Sequence, residues 1–433
     1  MCDTQETLLT AIPTGLSDFQ AAGAVPSSLH DCGGGNWEIV YGNLTAETAE
    51  TEIERYISGL CRAGYTCYSD NRIRDNRFFT YCKDETLIHC NYFPALGEFR
   101  VIFGPKGYLP DTAPVTDYKR RVTPSISVIG MTDNVMCLVF QAADGSFVVI
   151  DGGWGTSAVY DKVMNKDREN EQTVHIQRDA DYDMNALMSF LRDNAPDGEK
   201  PQVTWMITHG DPDHTTLPEA FFGRYRNEFD LNTICYNFPN LFNVGLGSHS
   251  DPAHFTGFCV RLVESARTHF PEAKHYIYHT GEKLQLPGAE IEFLFCHEDF
   301  WPHRMPWMNH TCGAWRIYSE GKTILIPGDT DVPLNQQMAK VYGTYLKSDI
   351  FQPCHHGANG GELGFYQLVD PTICFWMCQQ YHLDRDRRHT GLSTHYDFNK
   401  FLRESPNVIA HYSNSKTVTI LLPELKQKQE ETK

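Results

Sequence analysis

The sequence predicts an α/β protein in which sheets lie between helices, preceded by a small α+β unit. Three observations carry that prediction. Residues 125–150 hold three strand-like runs, the last two joined by a hairpin turn at Asp144-Gly145. Val203-Thr204-Trp205-Met206-Ile207-Thr208 is apolar without alternation, the pattern of a strand covered on both faces. Beyond it, strand and helix patterns alternate to about residue 423. The chain has 433 residues, enough for two or three domains of about 150 residues each.

In the first part, Trp37-Glu38-Ile39-Val40-Tyr41 reads as a strand. Ile53, Tyr56, Ile57 and Leu60, at i, i+3, i+4 and i+7, give a helix with one apolar face, and Gly64 lies near its end. Arg77–Cys82, Thr86–Phe93 and Phe99–Phe103 are rich in β-branched and aromatic residues and are separated by polar turns. One helix against an antiparallel sheet is the simplest arrangement. No cluster here has catalytic spacing. Gly104, Pro105, Gly107, Pro110, Pro114 and Pro124 mark a linker, so the expected domains are residues 1–115 and 125–425.

The second part opens with strands at Ser125–Ile129, Val135–Gln141 and Ser146–Ile150, ending in Asp151-Gly152-Gly153-Trp154-Gly155. A helix follows, with Met184, Leu187, Met188 and Leu191 on one face. The tail from Leu425 is polar and reads as solvated.

Composition narrows the class. Hydrophobic residues make up 41% and charged residues 21%, an ordinary globular balance that excludes a disordered tail or a fibrous repeat. The 37 Lys and Arg against 55 Asp and Glu leave a net charge of −18, which repels phosphate backbones and disfavours bulk nucleic-acid binding. No run approaches the length of a membrane span, and the start Met1-Cys2-Asp3-Thr4-Gln5-Glu6 lacks the basic and apolar regions of a signal peptide. The 14 cysteines have no framework spacing and are expected as reduced, buried thiols. Cytoplasm is the expected compartment. A homo-oligomer is compatible with all of this.

The chemistry gathers after the strand that ends at Thr208. His209-Gly210-Asp211-Pro212-Asp213-His214 packs two imidazoles and two carboxylates into one turn, with no lysine or arginine among them. Like charges so close cost free energy unless a cation fills the gap. Gly210 and Pro212 suit a loop that turns sharply towards one point. The competing reading is a polar loop that caps the helix near Leu217, with Asp213 as its N-cap. Three further polar clusters follow apolar strands: Asn309-His310-Thr311-Cys312-Gly313, Gly328-Asp329-Thr330-Asp331, and Cys354-His355-His356-Gly357. Open α/β sheets collect their sites at such strand ends.

In these segments the chain resembles the metallo-β-lactamase-fold hydrolases, from about residue 125 to about residue 423, on five motifs in order. Asp151-Gly152-Gly153 matches the first. The second, usually H-x-H-x-D-H, is here His209, Asp211, Asp213 and His214, with aspartate for the second histidine. This H-x-D-x-D-H form, together with His355-His356-Gly357 as the fifth motif, is similar to the hydrolase domain of bacterial DNA-uptake (competence) channel proteins. His310-Thr311-x-Gly313 matches the third motif and Gly328-Asp329 the fourth. The resemblance implies an αββα four-layer metallo-β-lactamase-like sandwich and two divalent metal ions, zinc or manganese, with iron compatible. His209, Asp211 and His310 would hold one ion. Asp213, His214 and one of His355 or His356 would hold the other, with Asp329 as the bridge. Adjacent residues at a strand end face opposite ways, so one of the two histidines is expected to be a ligand and the other to touch substrate or be satisfied by packing. The carboxylate of Asp211 is a harder ligand than imidazole and favours manganese or iron over zinc.

A metal-bridging hydroxide is then the expected nucleophile, with Asp213 orienting it or moving its proton and Asp329 also catalytic. The leading expectation is hydrolysis of a phosphodiester or related phosphorus–oxygen bond in a small-molecule or short phosphodiester substrate. The alternatives are hydrolysis of a carboxylic ester, thioester or lactam, and a non-catalytic metal-binding or assembly protein. Arg385, Arg387 and Arg388 form the most basic loop near the motifs and are candidate anion grips, against the reading of a solvated Asp–Arg loop. His303, His395 and His254 read as surface or packed histidines, and Cys312 and Cys354 as structural thiols. Phe300, Trp301, Trp307 and Trp315 read equally as core or as a pocket wall.

Overall fold

A computed structural model of the chain describes residues 25–27, 29–167, 170–240, 252–300, 305, 307–357, 360–387 and 396–425, with the side chains of 25, 162–172, 252–256, 385–387 and 396–397 not described. The chain divides into two compact units, Met1–Gly107 and Tyr108–Lys433.

The first unit is a seven-stranded antiparallel sheet carrying one helix. Its strands are β1 (Val25–Pro26), β2 (His30–Gly33), β3 (Asn36–Gly42), β4 (Thr66–Ile73), β5 (Asn76–Lys83), β6 (Thr86–Phe93) and β7 (Glu98–Pro105). Their order is β1-β3-β7-β6-β5-β4, with β2 also on β3. Helix α1 (Ala46–Arg62) lays Ile53, Tyr56, Ile57 and Leu60 on Tyr41, Phe79, Tyr81, Ile88 and Phe99. This is the face that the sequence spacing predicts.

The second unit opens with β8 (Ser125–Val128), β9 (Cys137–Gln141) and β10 (Phe147–Asp151). A two-stranded ribbon, β11 (Ala158–Asp167) and β12 (Asn170–Arg178), follows, then α2 (Ala180–Asn194), β13 (Gln202–Met206), α3 (Pro212–Tyr225), β14 (Asp230–Tyr236), α4 (Pro252–His269) and β15 (Lys274–Ile277). The second half holds β16 (Lys283–Leu286), β17 (Ala289–Phe295), β18 (Ala314–Ser319), β19 (Lys322–Ile326), α5 (Val332–Tyr342), β20 (Ile350–Phe351), α6 (Leu363–Val369), β21 (Ile373–Trp376), α7 (Gln380–Arg387), α8 (Tyr396–Glu404), β22 (Ala410–Ser413) and β23 (Val418–Leu421). One sheet has the order β15-β14-β13-β10-β9-β8-β23 and the other β16-β17-β18-β19-β20-β21-β22. Each is antiparallel at one end and parallel at the other. The parallel pairs are those joined through helices, as crossover geometry requires.

Four layers result. The inner faces of the two sheets pack on each other through Val128, Leu138, Phe140, Val148 and Ile150 on one side and Ile291, Phe293, Trp315, Ile317 and Ile326 on the other. The outer face of the first sheet meets α2, α3 and α4 through Val139, Val149, Val203 and Trp205 against Leu187, Leu191, Leu217, Phe221 and Leu262. On the outer face of the second sheet, Phe351 contacts Phe365 and Tyr366 of α6, and Arg403 of α8 lies over Trp376 of β21. Strand β13 is thus buried on both faces, as its unbroken apolar run predicts. Tyr108 and Leu109 pack into the core between the sheets, and the Arg121 N–H donates to the Ala143 carbonyl at 2.8 Å. The Gly/Pro-rich stretch from Tyr108 therefore lies on the second unit and is not a free tether. Among the described residues no helix is long and apolar enough to cross a membrane.

Candidate metal centre

The C-terminal ends of β10, β13, β19 and β20 deliver the polar residues to one place. Asp151, the last residue of β10, has φ 55°, a left-handed conformation that costs a non-glycine residue about 1–3 kcal/mol unless its surroundings enforce it. Here they do. Its Oδ1 accepts the Thr208 N–H at 2.8 Å, and its Oδ2 accepts the Thr208 hydroxyl at 2.7 Å and the His214 Nδ1–H at 2.7 Å. Because the Thr208 hydroxyl proton is committed to Asp151, its oxygen accepts from His209 Nδ1 at 3.0 Å. One fully buried carboxylate thereby fixes the tautomers of two histidines, so that both Nε2 lone pairs face the same space.

Helix α3 starts at Pro212, so Asp211 is its N-cap and Asp213 and His214 occupy the first turn. This corrects the competing reading that made Asp213 the cap. Proline at the first helical position moves the start two residues earlier. Asp211 makes no side-chain cap bond; its Oδ2 turns instead to His209 Nε2 at 3.2 Å. Gly210 must be small, because a Cβ there would lie 2.5 Å from Cys259 Sγ.

Asp329 follows β19 and is the hub. Its Oδ2 lies 3.3 Å from His214 Nε2, 3.3 Å from His356 Nε2 and 3.6 Å from His355 Nε2. Asp213 Oδ2 lies 3.5 Å from His356 Nε2 and 3.8 Å from His214 Nε2. The ligand atoms of His209, His214 and Asp329 form one compact group and those of Asp213, His214 and His356 another. The strand alternation expected to separate His355 from His356 does not apply. Both have positive φ, 49° and 56°, in a tight turn after β20. His356 donates Nδ1–H to the Met377 carbonyl at 2.9 Å, which turns its Nε2 inward. His355 approaches from the more exposed side.

Among the described residues, every ion-pair partner of Asp151, Asp211, Asp213, Asp329 and Asp331 is a histidine. Without a cation, the balancing charge comes from protons on His214 and His356. Burial pulls the His356 imidazole down, but Asp329 and Asp213 outweigh it and raise it to about 10. Burial likewise pulls His214 down, but Asp329, Asp151 and Asp213 overcome it and raise His214 well above the ordinary imidazole range. Burial pushes the carboxyl of Asp213 up, yet His214 and His356 bring it down to about 2. Asp329 is held well below the usual carboxylate range by His356, His214 and His355 against the opposing effect of burial. His355 goes the other way, because burial outweighs its carboxylate neighbours.

Three buried atoms here have no hydrogen-bond partner among the described residues: His214 Nε2, His356 Nε2 and Asp329 Oδ1. Orphaned buried polar atoms are rare and call for a ligand. Imidazole nitrogens with oriented lone pairs and acid carboxylates are the donor set of a divalent ion, so the residues fit the metals that the sequence implies.

Loop 307–312 lies against this centre. Met308 approaches Gly210, whose Cβ would stand 3.4 Å from Met308 Sδ, and Asn309 Nδ2 lies 3.4 Å from Asp329 Oδ2. His310 is turned elsewhere: Nδ1 accepts the Trp307 N–H at 3.2 Å and Nε2 lies 2.9 Å from Asp331 Oδ2. Its ring stacks on Phe300 with centroids 5.7 Å apart. Cys312 is a buried thiol beneath the site that accepts the Asp329 N–H at 3.2 Å and lies 3.6 Å from His209 Nδ1. Cys354 contacts Thr330 and Asn335. The sequence reading missed Thr208, Asn309 and Asp331. Asp331 had a signal, since it stands two residues after Asp329 in a second polar pair at a strand end.

Arg388, His303, His395 and Trp301 lie outside the described residues, as do the side chains of Arg385, Arg387 and His254. Trp315 is in the core between the sheets and Trp307 is exposed.

Two mixed sheets face to face, helices outside, and histidines and aspartates gathered at the strand ends decide the architecture. The fold is metallo-β-lactamase-like. No family model matches the sequence, and no curated protein matches it. Solved structures similar to it include CmlA, a diiron β-hydroxylase from Streptomyces venezuelae, at 13% identity over 74% of this chain with a TM-score of 0.37. This chain spans 55% of the length of CmlA. The metallo-β-lactamase-fold protein YhfI from Bacillus subtilis matches at 10% identity over 69% of this chain and 99% of its own, with a TM-score of 0.36. A protein of Parabacteroides distasonis described as a metal-dependent hydrolase matches at 14% identity over 65% of this chain and 99% of its own, with a TM-score of 0.30. These are remote likenesses; the fold rests on the strand order and the layers themselves.

Proposed function

We propose that this protein is a metal-dependent hydrolase with two divalent ions, acting on a phosphodiester or related phosphorus–oxygen bond. The observation that carries the proposal is the set of orphaned buried atoms, His214 Nε2, His356 Nε2 and Asp329 Oδ1, around one carboxylate. His209 and Asp211 would hold one ion; His214, Asp213 and His356 would hold the other; Asp329 would join them. Such ions supply a hydroxide at neutral pH and stabilise negative charge on the substrate oxygen.

The chain's own residues perform the rest. Asp151 and Thr208 keep the protons of His209 and His214 on Nδ1, leaving Nε2 free to bind. Asp213, 3.5 Å from His356, would take and pass a proton. His355, the most exposed imidazole of the cluster, would be the one to touch substrate. The net charge of −18 favours a small substrate over a long polyanion. The Asp211 carboxylate favours manganese or iron.

The test is an activity panel on protein reconstituted separately with manganese, iron and zinc. Turnover of bis-p-nitrophenyl phosphate is expected. Turnover only of carboxylic esters, thioesters or lactams would move the assignment to carbonyl chemistry. Bound metal with no turnover on either group would leave a metal-binding or assembly role.

A further inference from the structure

The segment Asn309-His310-Thr311-Cys312-Gly313 does bring a side chain to the centre, but it is Asn309 and not the motif histidine. Asn309 Nδ2 lies 3.4 Å from Asp329 Oδ2, the oxygen that His214, His355 and His356 also approach. An ionised carboxylate only accepts hydrogen bonds, so the amide turns its NH2 and not its oxygen to that side. The contact is longer than a settled N–H···O bond, which spans about 2.7–3.2 Å. The donor therefore stands beside the ligand cluster without being spent on it. Asn309 is partly exposed, whereas Met308 and His310 on either side of it are buried. An incoming molecule can reach the amide.

The rest of the turn holds Asn309 in place. The His310 N–H donates to the Trp307 carbonyl at 3.1 Å, and the Cys312 N–H donates to the Asn309 carbonyl at 3.1 Å. The Thr311 hydroxyl donates to the Met308 carbonyl at 2.7 Å, and the Gly313 N–H donates to the Thr208 carbonyl at 2.8 Å. Met308 is buried beside Gly210, which stands between His209 and Asp211. His310 spends both ring nitrogens on the turn. Its Nδ1 accepts the Trp307 N–H at 3.2 Å, and its Nε2 faces Asp331 Oδ2 at 2.9 Å. No lone pair is left for an ion, so the motif histidine works as an anchor.

Among the described residues no lysine or arginine pairs with Asp211, Asp213 or Asp329. A phosphoryl group arriving there brings charged oxygens, and an amide N–H makes a charge-assisted bond to such an oxygen. We propose that Asn309 is a catalytic residue of this centre: its side-chain NH2 donates to a charged, non-bridging oxygen of the phosphoryl group, and His310 is the positioning residue that holds its turn. The inference rests on the phosphorus–oxygen reading above. A neutral donor suits this place, because a lysine or arginine would pair with Asp329 and compete with the ions. Held in advance by the turn, the amide needs no reorganisation as charge grows on that oxygen.

The test uses the full chain loaded with manganese, inorganic phosphate as the probe, and the variants Asn309→Ala and Asn309→Leu, the second keeping the branched shape without a donor. Calorimetric titration measures phosphate affinity, and elemental analysis measures bound manganese. Both variants are expected to weaken phosphate binding by about tenfold or more while holding as much manganese as the wild type. Their turnover of bis-p-nitrophenyl phosphate should fall by about 100-fold. Unchanged phosphate affinity in Asn309→Ala would overturn the proposal. Lost manganese in Asn309→Ala would overturn it too, since Asn309 would then serve the ions rather than the substrate. Should leucine not fit the turn, seen as a lowered thermal midpoint in chelator, Asn309→Ala decides alone. His310→Gln is expected to weaken phosphate binding and to keep the wild-type number of imidazoles around manganese, counted by pulsed EPR; loss of one imidazole would overturn its role as anchor. A wild-type chain that holds manganese but neither binds phosphate nor turns over the diester sinks the phosphorus–oxygen reading and this proposal with it. A wild type that binds phosphate no better than Asn309→Ala sinks this proposal alone.

Discussion

Asp151→Asn puts the brace of the centre to the test. The wild-type carboxylate accepts three hydrogen bonds at 2.7–2.8 Å, two of them on Oδ2 from the Thr208 hydroxyl and His214 Nδ1. An amide of the same shape can keep the Thr208 N–H on its oxygen, but its NH2 then meets two donors. A flipped amide would instead set its NH2 against the backbone Thr208 N–H, which cannot reverse, so the conflict resolves by reversing the two side-chain donors. If His214 Nδ1 becomes an acceptor, its proton moves to Nε2, the atom meant for an ion. If the Thr208 hydroxyl reverses, His209 Nδ1 loses its acceptor and that ring is also released. Hydrogen bonds to a charged group contribute about 1.5–3 kcal/mol each, and one is lost outright, so the ion-free protein should lose about 2 kcal/mol. Loss of a partner behind a metal ligand typically costs 10- to 100-fold in affinity, or about 1.4–2.7 kcal/mol. Urea denaturation in chelator measures the first quantity, and competition with a fluorescent chelator measures the second. Metal affinity within about twofold of wild type would refute the claim that Asp151 sets the two tautomers.

Three further outcomes follow from the same geometry. Asp329→Ala removes the oxygen shared by His214, His355 and His356, so bound metal and activity should disappear together; elemental analysis showing unchanged metal would contradict its role as the bridge. The raised His356 pKa of about 10 contributes stability to the ion-free protein that is fully present below about 6.5 and is lost as pH climbs through 10. The denaturation midpoint in EDTA should therefore fall between pH 6.5 and 10, while excess manganese, which replaces the proton, should abolish that fall; a flat profile in EDTA would count against the charge balance described. Asp211→His should shift the ratio of zinc- to manganese-supported activity towards zinc, and an unchanged ratio would undo the hardness argument.

The sequence shows what is local. His209, Asp211, Asp213 and His214 occupy one turn, so their shared purpose is legible without a fold. The apolar strand before them says that this turn lies at the end of a buried sheet. The helix spacing of Ile53, Tyr56, Ile57 and Leu60 is visible for the same reason. Features set by distant partners are not visible. Strand β23 pairs with β8 across most of the second unit, Ser125 opposite Leu421. The β11–β12 ribbon mixes charged and apolar residues, and among its described side chains only Ile176 is buried, so no continuous buried face announces a strand. Which way His355 and His356 point is not legible in the sequence, because backbone conformation, rather than residue type, decides where adjacent side chains point. His310 matches a motif letter, yet its orientation depends on a backbone N–H three residues earlier and on a carboxylate in another segment. A motif reports which side chain is present; only the fold reports what its nitrogens already hold.

The central claim is that residues from four strand ends bind two divalent ions, and elemental analysis of chain reconstituted with manganese, iron or zinc and freed of loosely held metal tests it most directly. The account predicts two ions per chain in wild type, falling when Asp329 or His214 is replaced by alanine. A wild-type protein that retains no metal under any of these conditions would contradict it.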